Sequence, residues 1–121
     1  MSVREDFFED LSSTVDSWID AAVSATTDKS ADLVWSENPD AFRRVQQALA
    51  SANVPAEDVR KVFTQCLRGL AGSTLSIVDG ATALAEKTRI RIVDDTGQEL
   101  GEALHDDFAL HWLNTRGDQL H

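Results

Sequence analysis

The side chains able to do chemistry in this chain of 121 residues concentrate late, in the run GEALHDDFALH from Gly101 to His111. His105, Asp106, Asp107 and His111 are the residue types that move protons or ligate a divalent metal. Asp107 and His111 stand four residues apart, so a helix sets them on one face, where the carboxylate could orient the imidazole. His105 and His111 stand six apart, a rotation of about 240°, and point away from each other. One helix therefore cannot close both imidazoles on one ion. Asp79, Asp94 and Asp95 flank turns, where carboxylates satisfy local backbone donors. Gathered with Asp106 and Asp107, they could present oxygen ligands to a divalent cation.

Nucleophilic chemistry has less support. Val59, Val62, Cys66 and Leu70 fall along one apolar seam, which predicts Cys66 as a small core hydrophobe rather than an activated thiol. There is no G-x-S-x-G, and Gly69-Leu70-Ala71-Gly72-Ser73-Thr74 lacks the Lys and the spacing of a phosphate-binding loop. The His105-Asp106 doublet is similar to the metal-binding pair of HD-type phosphohydrolases. Those enzymes draw further His and Asp ligands from several helices, whereas here no His precedes position 105. No catalytic residue, metal ligand set or cofactor is expected, and a metal-dependent hydrolase built on Asp107, His111 and the turn carboxylates ranks below a binding function.

Charge points more firmly. The net charge is −10, and Met1 to Asp40 carries ten carboxylates against Arg4 and Lys29, a local net of −8. A nucleic-acid reader needs a Lys/Arg face to displace counterions, and docking on anionic lipid needs the same. The pattern argues against both and leaves a basic protein as the expected partner. Glu9, Asp16 and Asp20 are the candidate contacts on the first helix. Trp18, Trp35 and Trp112 each sit in an apolar pattern, which ordinarily means core packing. Trp35 is the exception: in a short segment among Asp32, Glu37 and Asp40 it is a candidate aromatic anchor inside an acidic rim.

These residues must be held by helices. Phe7, Leu11, Val15, Trp18 and Ala22 recur at helical steps, with Phe8, Ile19 and Val23 flanking the stripe, and predict an amphipathic helix from Glu5 to about Ala25. Residues 29–37, with Leu33, Val34 and Trp35, fit either a helical turn or a loop pinned to the core. Asn38-Pro39-Asp40 opens a second helix reaching about Ala52, with Phe42, Val45 and Leu49 inward and Arg43, Arg44, Gln46 and Gln47 outward. Val54-Pro55-Ala56-Glu57-Asp58 opens a third by the same logic. Its expected buried face is Val59, Val62, Phe63, Cys66, Leu67, Leu70, Thr74, Ile77 and Val78, and Asp79-Gly80 stops it. Gly69 to Val78 is uncharged, as in a domain centre or a subunit interface.

After a short Ala81–Lys87 segment the period changes from 3.6 to 2. Thr88 to Val93 alternates, Asp94-Asp95-Thr96-Gly97 supplies turn chemistry and Gln98-Glu99-Leu100 extends again, so a β-hairpin is expected. A last helix runs from about Glu102 to Thr115, with Leu104, Phe108 and Trp112 on one face.

The expected fold is thus α+β, predominantly α-helical: about four helices around one core, with a single hairpin at about 88–100 before the C-terminal helix, as one domain over 1–121. The opening MSVREDFFED is too acidic for a secretory signal, no window nears the roughly 18 apolar residues of a membrane span, and one Cys permits no internal disulfide. These features predict a soluble, cytoplasmic protein. The expected function is a non-enzymatic protein-interaction module. An immunity or antitoxin-like inhibitor of a basic partner is its sharper version, and an accessory subunit of an oligomer such as a homodimer is the alternative.

Overall fold

The computed structural model describes residues 2–117, and their regular secondary structure is helical throughout. Four α-helices follow in order: α1 (Val3–Thr27), α2 (Pro39–Ser51), α3 (Ala56–Val78) and α4 (Leu104–Arg116), with a 3₁₀ turn at Ala83–Glu86. α1 is the central element, packing against α2, α3 and α4. Ser2 caps α1 by accepting from the Glu5 N–H, and Glu5 and Asp6 add charge to the first turn. Pro39 opens α2, and the Asn38 side chain makes no capping bond.

The core gathers Phe8, Val15, Ile19 and Val23 of α1, Leu75 of α3, and Leu104, Phe108 and Trp112 of α4, with Leu100 closing it. α1 is therefore rotated from its expected orientation: the flanking set is central, whereas Trp18 is 54% exposed. The alternation was hidden because Ser12 interrupts the true stripe. Its hydroxyl donates to the Phe8 carbonyl at 2.8 Å, so the buried polar group is satisfied.

α2 departs similarly. Gln46, expected outside, is buried and donates to the carbonyls of Ala25 and Asp28 at 2.7 and 3.0 Å. Arg43 reaches back to the carbonyls of Lys29 and Ala31. Two polar side chains thus satisfy the open C-terminal end of α1 and fix residues 29–37 as a loop with Leu33 buried, while Val45 faces out. A side chain that completes a neighbouring helix end has no signature in its own helix's periodicity.

The expected hairpin is not formed, and the fold is all-α among the described residues. The chain does turn at Asp94–Gly97, where the Asp94 carboxylate accepts from the Thr96 and Gln98 N–H groups. Only one isolated bridge, Val93 with Glu99, follows from it. Thr88 to Arg91 has no regular secondary structure, and Arg89 donates to the Asp79 carbonyl at 2.9 Å. A two-stranded ribbon is marginal without a third strand, and here none is supplied. Ile92 and Leu100 still pack on the helices, but Ile90 is exposed.

Cys66 also departs from expectation, lying exposed on the outer side of α3. Among the described residues no helix is long and apolar enough to cross a membrane.

Candidate functional site

α1 presents two different lateral surfaces. Asp16 and Trp18 are two residues apart, about 200° around the helix, so what flanks one cannot flank the other.

On the Asp16 side, α4 lays its C-terminal turn across α1. Arg116 donates from Nε to Asp16 at 2.7 Å and from Nη2 to Glu9 at 2.7 Å. His111 Nε2 lies 2.9 Å from the other Glu9 oxygen. The Arg116 guanidinium, helped by His111, pulls the Glu9 carboxyl from its ordinary 4.5 down to about 2. Arg116 is pushed the opposite way, above its ordinary range, mainly by its bond to Glu9. The guanidinium also stands over the buried Trp112 ring, 5.5 Å from its centre. Two of the acidic residues singled out from sequence, Glu9 and Asp16, are therefore engaged within the chain. Asp20 reaches Arg60 of α3 at 2.8 Å in an exposed pair. At the other end of α4, Asp107 pairs with Arg4 and not with His111.

On the Trp18 side the surface is aromatic. Trp18 and Trp35 meet edge to face with ring centres 6.1 Å apart, and Phe42 of α2 supports Trp35 at 5.6 Å. Trp35 remains 49% exposed although its indole N–H is satisfied by the Asp32 carbonyl. Its outward ring is thus apolar surface with no unmet polar demand. A shallow depression of about 250 Å³ lies between the rings, floored by Ser17 and Ala21. Val34 beside it is almost fully exposed. Asp32, Glu37 and Asp40 belong to the same loop and helix start, and among the described residues none of them forms an ion pair. Trp18, predicted for the core, is the member of this surface that periodicity misplaced. The one sequence-level signal was that its stripe and the Phe8 stripe compete for the same core.

The late His/Asp cluster is dispersed. Asp79 accepts from the Leu104 and His105 N–H groups at 2.9 and 2.8 Å, capping α4 from 25 residues upstream. This cap is needed because Ala103, at the N-cap position, has no capping side chain and takes the left-handed conformation, φ 55°. A cleft of about 540 Å³ opens beside it, with Arg89, Arg91, Glu99, His105 and Asp106 in its walls. Several of its polar groups are engaged internally: Arg91 pairs with Glu99, His105 Nδ1 lies against the Asp106 carboxylate, and Arg89 donates to the Asp79 carbonyl. Asp94 is held below its ordinary pKa by the donors of its own turn, first the Thr96 hydroxyl. Among the described residues, no three His, Cys, Asp or Glu side chains gather closely enough to hold a metal.

The chain matches no protein-family model, no curated protein and no solved structure.

Proposed function

We propose that this protein is an interaction module that docks a basic protein segment on the Trp18–Trp35 surface. The observation that supports this reading is a pair of tryptophans, each about half exposed, in edge-to-face contact with Phe42 packed on Trp35, in a segment with three carboxylates that have no ion-pair partner among the described residues. Aromatic anchors with a polar rim concentrate binding energy, and preorganised rings lose little entropy on docking. The rings would take an aliphatic or guanidinium side chain, and Asp32, Glu37 and Asp40 its neighbouring positive charges. Within the chain itself, Arg116 over Trp112 and Arg4 over Phe8 show that chemistry of contact. Asp20 can add to the basic recognition from the Arg60 side, whereas Glu9 and Asp16 hold α4.

Selection from a displayed random-peptide library, followed by titration of enriched peptides with tryptophan fluorescence as readout, tests the proposal. Peptides rich in Arg and Lys that bind saturably, weaken with added salt, and lose at least tenfold in affinity to Trp35→Ala support it. Enrichment of acidic peptides, or binding indifferent to both Trp18→Ala and Trp35→Ala, overturns it.

A further inference from the structure

α3 is apolar on two sides, and the four-helix arrangement covers only one. The covered side carries Thr64, Leu67, Ala71, Leu75 and Val78. The other side carries Val62, Cys66, Gly69, Leu70, Ser73 and Ile77, all exposed, with Val62 at 60% and Leu70 at 65%. These six residues form one uncharged stripe at helical spacing, about 22 Å long. It includes much of the seam that periodicity assigns to the core.

Two properties of the stripe identify what covers it. The first is its symmetry. Positions 62, 66, 69, 70, 73 and 77 map onto themselves when the order is reversed about the midpoint between 69 and 70. An antiparallel copy therefore sets Val62 against Ile77, Cys66 against Ser73 and Leu70 against Gly69. Large residues meet large ones at the ends, and the protruding Leu70 meets the position with no side chain. Self-complementarity of this kind is what a two-fold interface requires of a single surface.

The second is Gly69 itself. It lies within a helix, where Gly is unfavourable, and nothing among the described residues comes within 4 Å of the place a Cβ would occupy. No packing among the described residues accounts for it. Close approach of a second backbone at that point does.

Charge opposes this little, since α3 carries Arg60, Lys61 and Arg68 against Glu57 and Asp58, a net of only +1 in a chain whose overall charge is −10. At the Val62 end the surface continues into an apolar depression of about 240 Å³ between α2 and α3, walled by Val45, Leu49 and Val54. Ile77 of the second copy arrives beside it.

We infer that α3 pairs antiparallel with α3 of a second copy of this chain, with the two-fold axis passing between Gly69 and Leu70. The contact is independent of the Trp18–Trp35 surface, which lies on α1 and the loop before α2.

Sedimentation equilibrium between about 1 and 500 µM is the first test, because a contact of this size favours a reversible dimer. A monomer–dimer equilibrium is expected, weakened at least tenfold by Leu70→Asp with helicity unchanged and unaffected by Trp35→Ala. Gly69→Ala should raise the melting temperature measured at low concentration while weakening dimerisation, a pairing of effects that a purely local role for Gly69 does not produce. Ser73→Cys with the native Cys66 tests the register. Within one chain those two sites are seven residues apart, about 10 Å, too far for a disulfide. Between antiparallel copies they face each other. Diamide, as the two-electron oxidant, should therefore link Ser73→Cys into a covalent dimer and leave the unmodified protein unlinked. A mass that stays monomeric to the highest concentration, or equal cross-linking through Cys66 alone, overturns the inference.

Discussion

The two flanks of α1 use aromatic and charged residues in opposite ways. On one flank, Arg116 and His111 of α4 close over Glu9 and Asp16, and Trp112 lies beneath them with no exposed surface. On the other, Trp18 and Trp35 keep about half their surface in water, and the nearby carboxylates have no ion pair among the described residues. The difference is one of partners supplied by the chain. Where a cationic helix end returns to α1, acid and indole hold the fold together. Where no cation returns among the described residues, the same residue types stay exposed as the surface proposed to dock a basic segment.

Truncating the buried indole should separate the two flanks most sharply. Trp112→Ala is expected to lose about 3–5 kcal/mol of stability, the range for removing a large buried aromatic. Trp18→Ala and Trp35→Ala should each stay within about 1 kcal/mol in thermal or urea unfolding while abolishing peptide binding. Equal destabilisation at all three positions would erase the distinction. Trp112→Phe should cost less than Trp112→Ala, since its indole N–H is buried without a hydrogen-bond partner among the described residues and Phe removes that donor.

Asp79→Ala comes next, at about 1–2 kcal/mol, because it uncaps α4 at the N–H groups of Leu104 and His105. Amide hydrogen exchange should locate the loss in the first turn of α4 and leave the α1–α2 junction protected.

The clamp on the charged flank should show a pH signature. The Glu9 carboxyl titrates near 4.5 when unpaired and at about 2 in the fold, so the folded state favours its ionised form. Its contribution is fully present above pH 4.5 and is lost as the pH falls from there through about 2. Glu9→Gln should remove that part of the acid-limb slope in urea unfolding. The effect is modest, because the Glu9 side chain is 44% exposed and water screens the pair. An unchanged slope would show that Arg116 is anchored by Asp16 alone.

The smallest effect belongs to Asp20→Asn. Its partner Arg60 is likewise exposed, and such pairs are worth about 0–1 kcal/mol. Any larger change should appear in binding of a basic peptide, not in stability.

What could be read from residues alone was local. Proline followed by acids placed the starts of α2 and α3, Asp79-Gly80 marked the end of α3, and Asp94 to Gly97 made the turn that its composition requires, because each depends on groups within a few residues of one another. Orientation was not local. Phe7, Leu11 and Trp18 form as good a stripe as Phe8, Ile19 and Val23, and only the arrival of Phe108 and Trp112 chose between them. On α3, periodicity could rank an apolar seam but not say whether its cover came from the same chain. The alternation at Thr88–Val93 was real, yet a strand exists only if a neighbour pairs with it.

The candidate site divides the same way. Trp35 and its acidic loop were visible as composition, whereas Trp18 joined them only through the packing of α1. Glu9 and Asp16 were equally visible as acids. Their neutralisation depends on Arg116, a hundred residues or more away along the chain. Sequence by itself determined which segments become helices and where the acids lie, since those follow from backbone propensity, caps and charge counting. Tertiary structure decided which faces turn inward and which charges find a partner, because both are set by the approach of elements far apart in the chain.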